Sequence, residues 1–188
     1  IALKTESTDS ELDNMSGDIN LSTRGGNINT NKLSGNLELA VISGDINIFD
    51  CNANTVTTMD NGNILINGMK GNLKSNTTLG ESLITNFEGE NCVFNINVGN
   101  LKVNKCNSNL NANIDIGSIS INNLQGSVSL FTGKGEINLN NIIGGVNCNT
   151  NFGNVNGSNL FGRVNANSEL GDIVLSLIHI SEPTRLPG

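Results

Sequence analysis

Very few side chains in this sequence could do chemistry. The chain of 188 residues carries one histidine, His179, and four cysteines, Cys51, Cys92, Cys106 and Cys148. A Ser/His/Asp or Cys/His constellation needs an imidazole to take and return a proton. His179 lies in the carboxyl-terminal run LSLIHISEPTRLPG, whose pattern departs from the rest, so neither a triad nor a histidine metal site can be assembled from the body of the chain. The cysteines show no CxxC spacing of the kind that gathers thiolates around zinc. Three fall where inward apolar residues belong, so they read as small buried hydrophobes. Cys51 and Cys106 share a repeat position but lie about three repeats apart, roughly 14 Å at the strand spacing, too far for a disulfide.

Carboxylates offer little more. Calcium-binding nonapeptide arrays place an aspartate regularly in glycine-rich turns. Here Gly-Asp occurs only at Asp18, Asp45 and Asp172, and Asn, Ser or Glu stands in most other units, so no column of charged oxygens awaits the ion. Glycoside cleavage needs two carboxyl groups facing each other across a cleft flanked by loops. Corners of two to four residues build no such cleft. Phe49 and Phe131 fall at outward positions and are the candidate contact residues for a sugar or a protein, the alternative being lateral packing over a corner. No catalytic, cofactor-binding or metal-ligating residue is assigned, and no cofactor and no enzymatic activity is expected.

The elements that would position any of these follow from the glycines. Gly135 to Leu170 divides into GEINLNNII, GGVNCNTNF, GNVNGSNLF and GRVNANSEL, nine-residue lines that open with glycine and carry Ile or Val at place three. Upstream, Gly17, Gly26, Gly35, Gly44, Ala53, Gly62, Gly71, Gly80 and Gly89 hold the same period. Gly99 arrives one residue late, and its register continues through Ser108 and Gly117 to Gly171. The alternation Phe94, Ile96, Val98 places the single extra residue near Asn91 or Cys92, where a β-bulge or a longer corner absorbs it. That irregularity reads as a tolerated insertion, with a local binding feature as the alternative.

Self-similarity at a short fixed period marks a solenoid, in which each unit buries its apolar face only against its neighbours. Places three and five are apolar (Ile19 and Leu21, Ile46 and Ile48, Ile137 and Leu139), while places two, four and six are mostly Asn, Ser, Asp, Glu or Lys. That is the period of a strand with one buried face. Place seven is often Asn, Asp or Gly, as at Asn86, Asp50 and Gly68, residues that tolerate the left-handed backbone of a corner. Alternate units end with an apolar residue at place eight (Met69, Phe87, Leu124), and several of those between end with one at place nine (Leu79, Ile116, Phe152, Leu170). The true repeat is therefore eighteen residues. The expected fold is all-β: a parallel β-solenoid (β-helix) whose coils each hold two strand-turn units, with two sheets closed over a thin core. Gly17 to Val174 gives roughly nine coils and a rod about 40 Å long at the strand spacing. Stacked asparagines are expected to hydrogen-bond from coil to coil, as side-chain ladders do in cross-β stacks.

The organisation expected is a ragged partial coil over 1–16, the solenoid over 17–174, and a non-native tail over 175–188. Leu175–Arg185 resembles translated read-through of a sequencing-library adapter, and is excluded from fold reasoning. The chain begins at Ile1 rather than Met, and both native termini are expected to be missing. A formal charge of −7, with no Trp, no Tyr and scattered cations, argues against a nucleic-acid partner. No apolar run reaches the roughly 18 residues that span a bilayer.

The SGDIN of Ser16–Asn20 and Ser43–Asn47, the SGNLEL of Ser34–Leu39 and the recurring G-x-[IV]-x-[ILA] lines resemble a bacterial adhesin-type β-strand-repeat domain family, whose biochemical role is largely unassigned. The likeness covers most of Gly17–Val174, and departs from the family in using Asn where Asp, Ser or Thr would be usual. It implies a non-enzymatic scaffold at the cell surface, in the envelope or secreted, contacting protein, glycan or cell-wall polymer through extended polar strand faces. An envelope-stress sensing or regulatory module is the alternative, and a polysaccharide-acting β-helix enzyme a third reading.

Overall fold

Period-two alternation interrupted by glycine every nine residues makes strands too short to close a sheet on themselves, so each must pair with its counterpart one coil away. The computed structural model describes residues 1–177, a β-solenoid of about ten turns with no helix among the described residues. The expectations for His179 and for the tail beyond Leu177 lie outside the described residues.

Eighteen strands follow one another among the described residues. The first nine are β1 (Ala2–Ser7), β2 (Ser10–Asp13), β3 (Ser16–Gly25), β4 (Ile28–Asn31), β5 (Ser34–Ser43), β6 (Ile46–Phe49), β7 (Asn52–Asn61), β8 (Ile64–Asn67) and β9 (Leu73–Leu79). Then come β10 (Ser82–Val98) and β11 (Leu101–Ile116), each long enough to serve two units. The remainder are β12 (Ile119–Gln125), β13 (Val128–Lys134), β14 (Ile137–Ile143), β15 (Val146–Phe152), β16 (Val155–Phe161), β17 (Val164–Leu170) and β18 (Ile173–Leu177). Among the described residues all pairings are parallel, and partners lie one coil apart, as in Ile19 on Leu37, Leu37 on Thr55 and Ile119 on Ile137. The strands fall into two stacks. The first holds β1, β3, β5, β7, β9, the later halves of β10 and β11, β13, β15 and β17; the second holds the strands between them.

The core lies between the stacks. Places three and five are buried along nearly the whole rod, from Ile19 and Leu21 to Ile137, Leu139 and Val155. The two units of a coil differ beyond place six. In the first, alternation continues and place seven points inward, at Val41, Met59, Ile96 and Ile114. In the second, place seven adopts positive φ, +49° at Asp50, +54° at Asn86 and +57° at Asn123, which turns place eight inward at Cys51, Phe87 and Leu124. The corner expected at place seven therefore exists in only one unit of each coil, because a single left-handed residue shifts the alternation by one. The apolar residues at place nine of the first unit are outward and exposed.

The inserted residue lies between Glu88 and Asn91, just upstream of the position expected from sequence. The alternation resumes only at Cys92, so the pattern marks the end of the irregularity rather than its start. Ala2–Ser7 stacks on β3 and Ser10–Asp13 on β4, so the charged opening segment forms a coil of its own. At the other end β18 continues through Leu175 to Leu177 in the same stack.

Candidate functional site

Outward places two and four of the first stack make a mostly polar face, interrupted at Val56, Val93 and Gly145. Two open grooves run along it. One, of about 880 Å³, starts at Ile1 and Ala2 and passes Asn20, Asn36, Asn54 and Asn72; the other, of about 590 Å³, continues past Asn109, Asn111 and Asn147 to Arg163 and Asn165. Both include Asn91 and Val93, so they join end to end at the bulged coil. Asp18 and Glu38 lie near one end, Lys74 in the middle and Arg163 near the other, which grades the face from acidic to basic.

Asparagines are fixed there by the coil below and the coil above. The Asn36 amide donates to Asp18 at 2.7 Å, and the backbone N–H of Asn72 to Asn54 Oδ1 at 3.2 Å. The N–H groups of Asn91 and Ser127 donate likewise to Asn72 and Asn109, at 3.0 Å each. An asparagine that accepts a backbone bond through Oδ1 keeps its NH₂ group for solvent or a ligand. Place two of the second stack is held in the same way, and its column reads Asp9, Asn27, Asp45, Asn63, Glu81, Asn100. Carboxylates there never occupy adjacent coils, which keeps like charges about 10 Å apart, near the screening length at physiological salt.

A third ladder lies at the left-handed corner. Asn141, at φ +55°, donates to Asn123 Oδ1 at 2.6 Å, and Asn159 to Asn140 Oδ1 at 3.1 Å. Asn141→Ala removes both the bond and a side chain that tolerates this backbone, and is expected to cost about 1–3 kcal/mol in urea denaturation. Asn141→Gly keeps the backbone tolerance and is expected to cost under about 1.5 kcal/mol. Equal losses for the two variants would contradict the backbone account of this corner.

The residues singled out from sequence do not converge. Phe49 is half-buried on β6 between Asn31 and Asn67, whereas Phe131 is 36% exposed on β13 between Asn113 and Asn149. They belong to different stacks and neither lines the joined grooves. Asp18 lies on the first stack, and Asp45 and Asp172 on the second; no three of His, Cys, Asp and Glu gather into a metal-sized group among the described residues. All four cysteines are free and buried. Burial pushes the thiols of Cys106 and Cys148 up to about 12 and about 11, and burial together with neighbouring Cys106 raises that of Cys92. Such thiols stay protonated at neutral pH and are not nucleophiles. At the bulge, Lys70 and Glu88 form an exposed ion pair at 2.9 Å beside a hollow of about 380 Å³. A pair this exposed contributes little to stability.

Sequence reasoning missed two features. Thr132, Thr150 and Ser168 donate their hydroxyls to the carbonyls of Gly117, Gly135 and Gly153, tying the inward face of the first stack to a glycine corner. The signal was present as a hydroxyl recurring every eighteen residues at place seven of the first unit. The other was the joining of the grooves, which depends on how coils stack rather than on any local motif. No helix among the described residues is long and apolar enough to cross a membrane. No family model, no curated protein and no solved structure matches the chain.

Proposed function

We propose that this chain is a non-enzymatic scaffold of the adhesin kind, working at a cell surface, in the envelope or outside the cell, and that it holds a protein, glycan or cell-wall polymer along its polar strand faces. The observation that supports this reading most is the pair of joined grooves, along which outward amides recur in most coils from Asn20 to Asn165. Polar side chains recurring about every 4.8 Å, interrupted at Val56, Val93 and Gly145, suit a ligand that is itself repetitive. Its strength would come from summation: once one segment of a polymer is held, the next binds at a high effective concentration, and many weak contacts multiply without a deep site.

Binding should therefore depend on ligand length. Oligosaccharides of increasing length and purified peptidoglycan serve as probes in equilibrium binding. Monosaccharides are expected to bind weakly, longer chains progressively more tightly, and Asn111→Ala alone to weaken binding only about two- to fivefold, the worth of one hydrogen bond. No binding to any polymer, or complete loss through that single substitution, would overturn the proposal.

A further inference from the structure

Place nine of the first unit forms a column on the outside of the rod, distinct from the grooved face. Its first members are small or polar: Ser7, Gly25, Ser43 and Asn61. From the fifth coil it changes to Leu79, Val98, Ile116, Lys134, Phe152 and Leu170, paired in register one above another. The five apolar members are 47, 40, 50, 49 and 64% exposed in that order. Lys134 does not interrupt the line, because its amine lies 5.9 Å from the Phe152 ring centroid and its stem continues the apolar surface. Other exposed apolar side chains, such as Ile42, Val56 and Leu83, do not stack into a column of this length, so the straight ridge of large apolar side chains marks an interaction surface.

Its flanks say what kind of partner fits. Glu81, Glu136 and Asp172 border the ridge at place two of the following unit, and Asp115 and Glu169 at place eight of its own, all exposed. Five carboxylates against one lysine would set acidic rim against acidic rim in a second copy of this chain, and would repel an anionic lipid surface. They attract cations on both sides of an apolar seam. The ridge is one residue wide, and its five steps span about 24 Å at the strand spacing. That is the length of a helix of about sixteen residues at 1.5 Å per residue, and the helical pitch of about 5.4 Å lies close to the coil spacing. An amphipathic helix also presents an apolar stripe with charges beside it.

We propose that the ridge from Leu79 to Leu170 is a docking surface for a basic amphipathic helix, whose apolar stripe lies along the ridge and whose Lys or Arg residues meet Glu81, Asp115, Glu136, Glu169 and Asp172. This surface lies apart from the grooves, so it does not depend on polymer binding there. The test uses the whole chain and two synthetic eighteen-residue helical peptides with the same leucine stripe, one with Lys on its polar face and one with Glu, followed by fluorescence anisotropy. The Lys peptide is expected to bind, to weaken with added salt, and to bind at least about tenfold more tightly than the Glu peptide. Ile116→Asn/Phe152→Asn is expected to weaken it at least about tenfold, while Ile143→Asn, exposed at place nine of the second unit and outside both grooves, leaves it unchanged. Equal binding of the two peptides to the unmodified protein overturns the proposal without reference to any variant. So does a folded double variant that binds the Lys peptide normally, or sedimentation of the unmodified chain as a dimer that the double variant dissociates.

Discussion

Ile137→Asp is expected to abolish the cooperative thermal transition followed by circular dichroism. Ile137 is fully buried and registers between Ile119 below and Val155 above. The substitution forfeits about 1.5–3 kcal/mol of apolar burial. It also places a carboxyl group among aliphatic side chains, where an unpaired polar group costs a further 2–7 kcal/mol or so. Proteins of this size are marginal, about 5–15 kcal/mol in total, so the combined loss is a large part of the whole. Solenoid architecture aggravates it, because each coil is stabilised only through its neighbours and a failed coil uncouples those on either side. Ile119→Asp, equally buried in the same column, is expected to behave alike. An unchanged transition in either variant would show that this column is not the core.

Gly80→Ala is the second large effect, and it acts through the backbone. Gly80 sits at φ +148°, a conformation that side-chain-bearing residues rarely adopt, and an added Cβ would drive into the carbonyl oxygen of Gly62 one coil below. Backbone there cannot retreat without breaking register, since Gly80 N–H donates to Val98 and Gly62 N–H to Leu79. Strain of about 1–3 kcal/mol for the dihedral alone, plus the clash, should lower the urea midpoint clearly. Glycines without that backbone provide the control; Ala53 and Ser108, which stand at place one of the first unit where Gly35, Gly126 and Gly144 have positive φ, do without it too. Gly145→Ala, whose added Cβ would meet nothing nearer than Ser127 Oγ at 3.9 Å, should cost little. Equal destabilisation by the two substitutions would contradict the backbone account of Gly80.

Backbone conformation also marks how far the fold could be read from the chain alone. Places three and five were legible because a strand's period is local and Ile, Leu and Val repeat there in every coil. The eighteen-residue coil was legible from the alternation of places eight and nine. The inward turn of Val41 and Met59 and the left-handed backbone at Lys32 and Lys105 were not, because lysine carries no signature of positive φ and takes that conformation only under the constraint of the coil stacked above it. The same holds for the surface. Each asparagine was visible, but the grooved face is a property of the stack, and the ridge appears only once place nine of the first unit is known to point outward. Phe49 and Phe131 stood out as aromatics on a polar sheet, yet they lie on different stacks and build nothing together.

Polymer binding along the grooves and helix docking on the ridge both need coils stacked in straight register along the rod. Asn20 and Asn165 occupy the same outward column, eight coil steps apart, and both are exposed. Spin labels on Asn20→Cys and Asn165→Cys, in a chain whose native thiols are buried, report that separation directly by pulsed electron resonance. Regular stacking predicts a single narrow distribution centred near 38 Å, eight times the strand spacing. A broad distribution, or one centred below about 25 Å, would mean that the coils do not stack in register and that no continuous face exists.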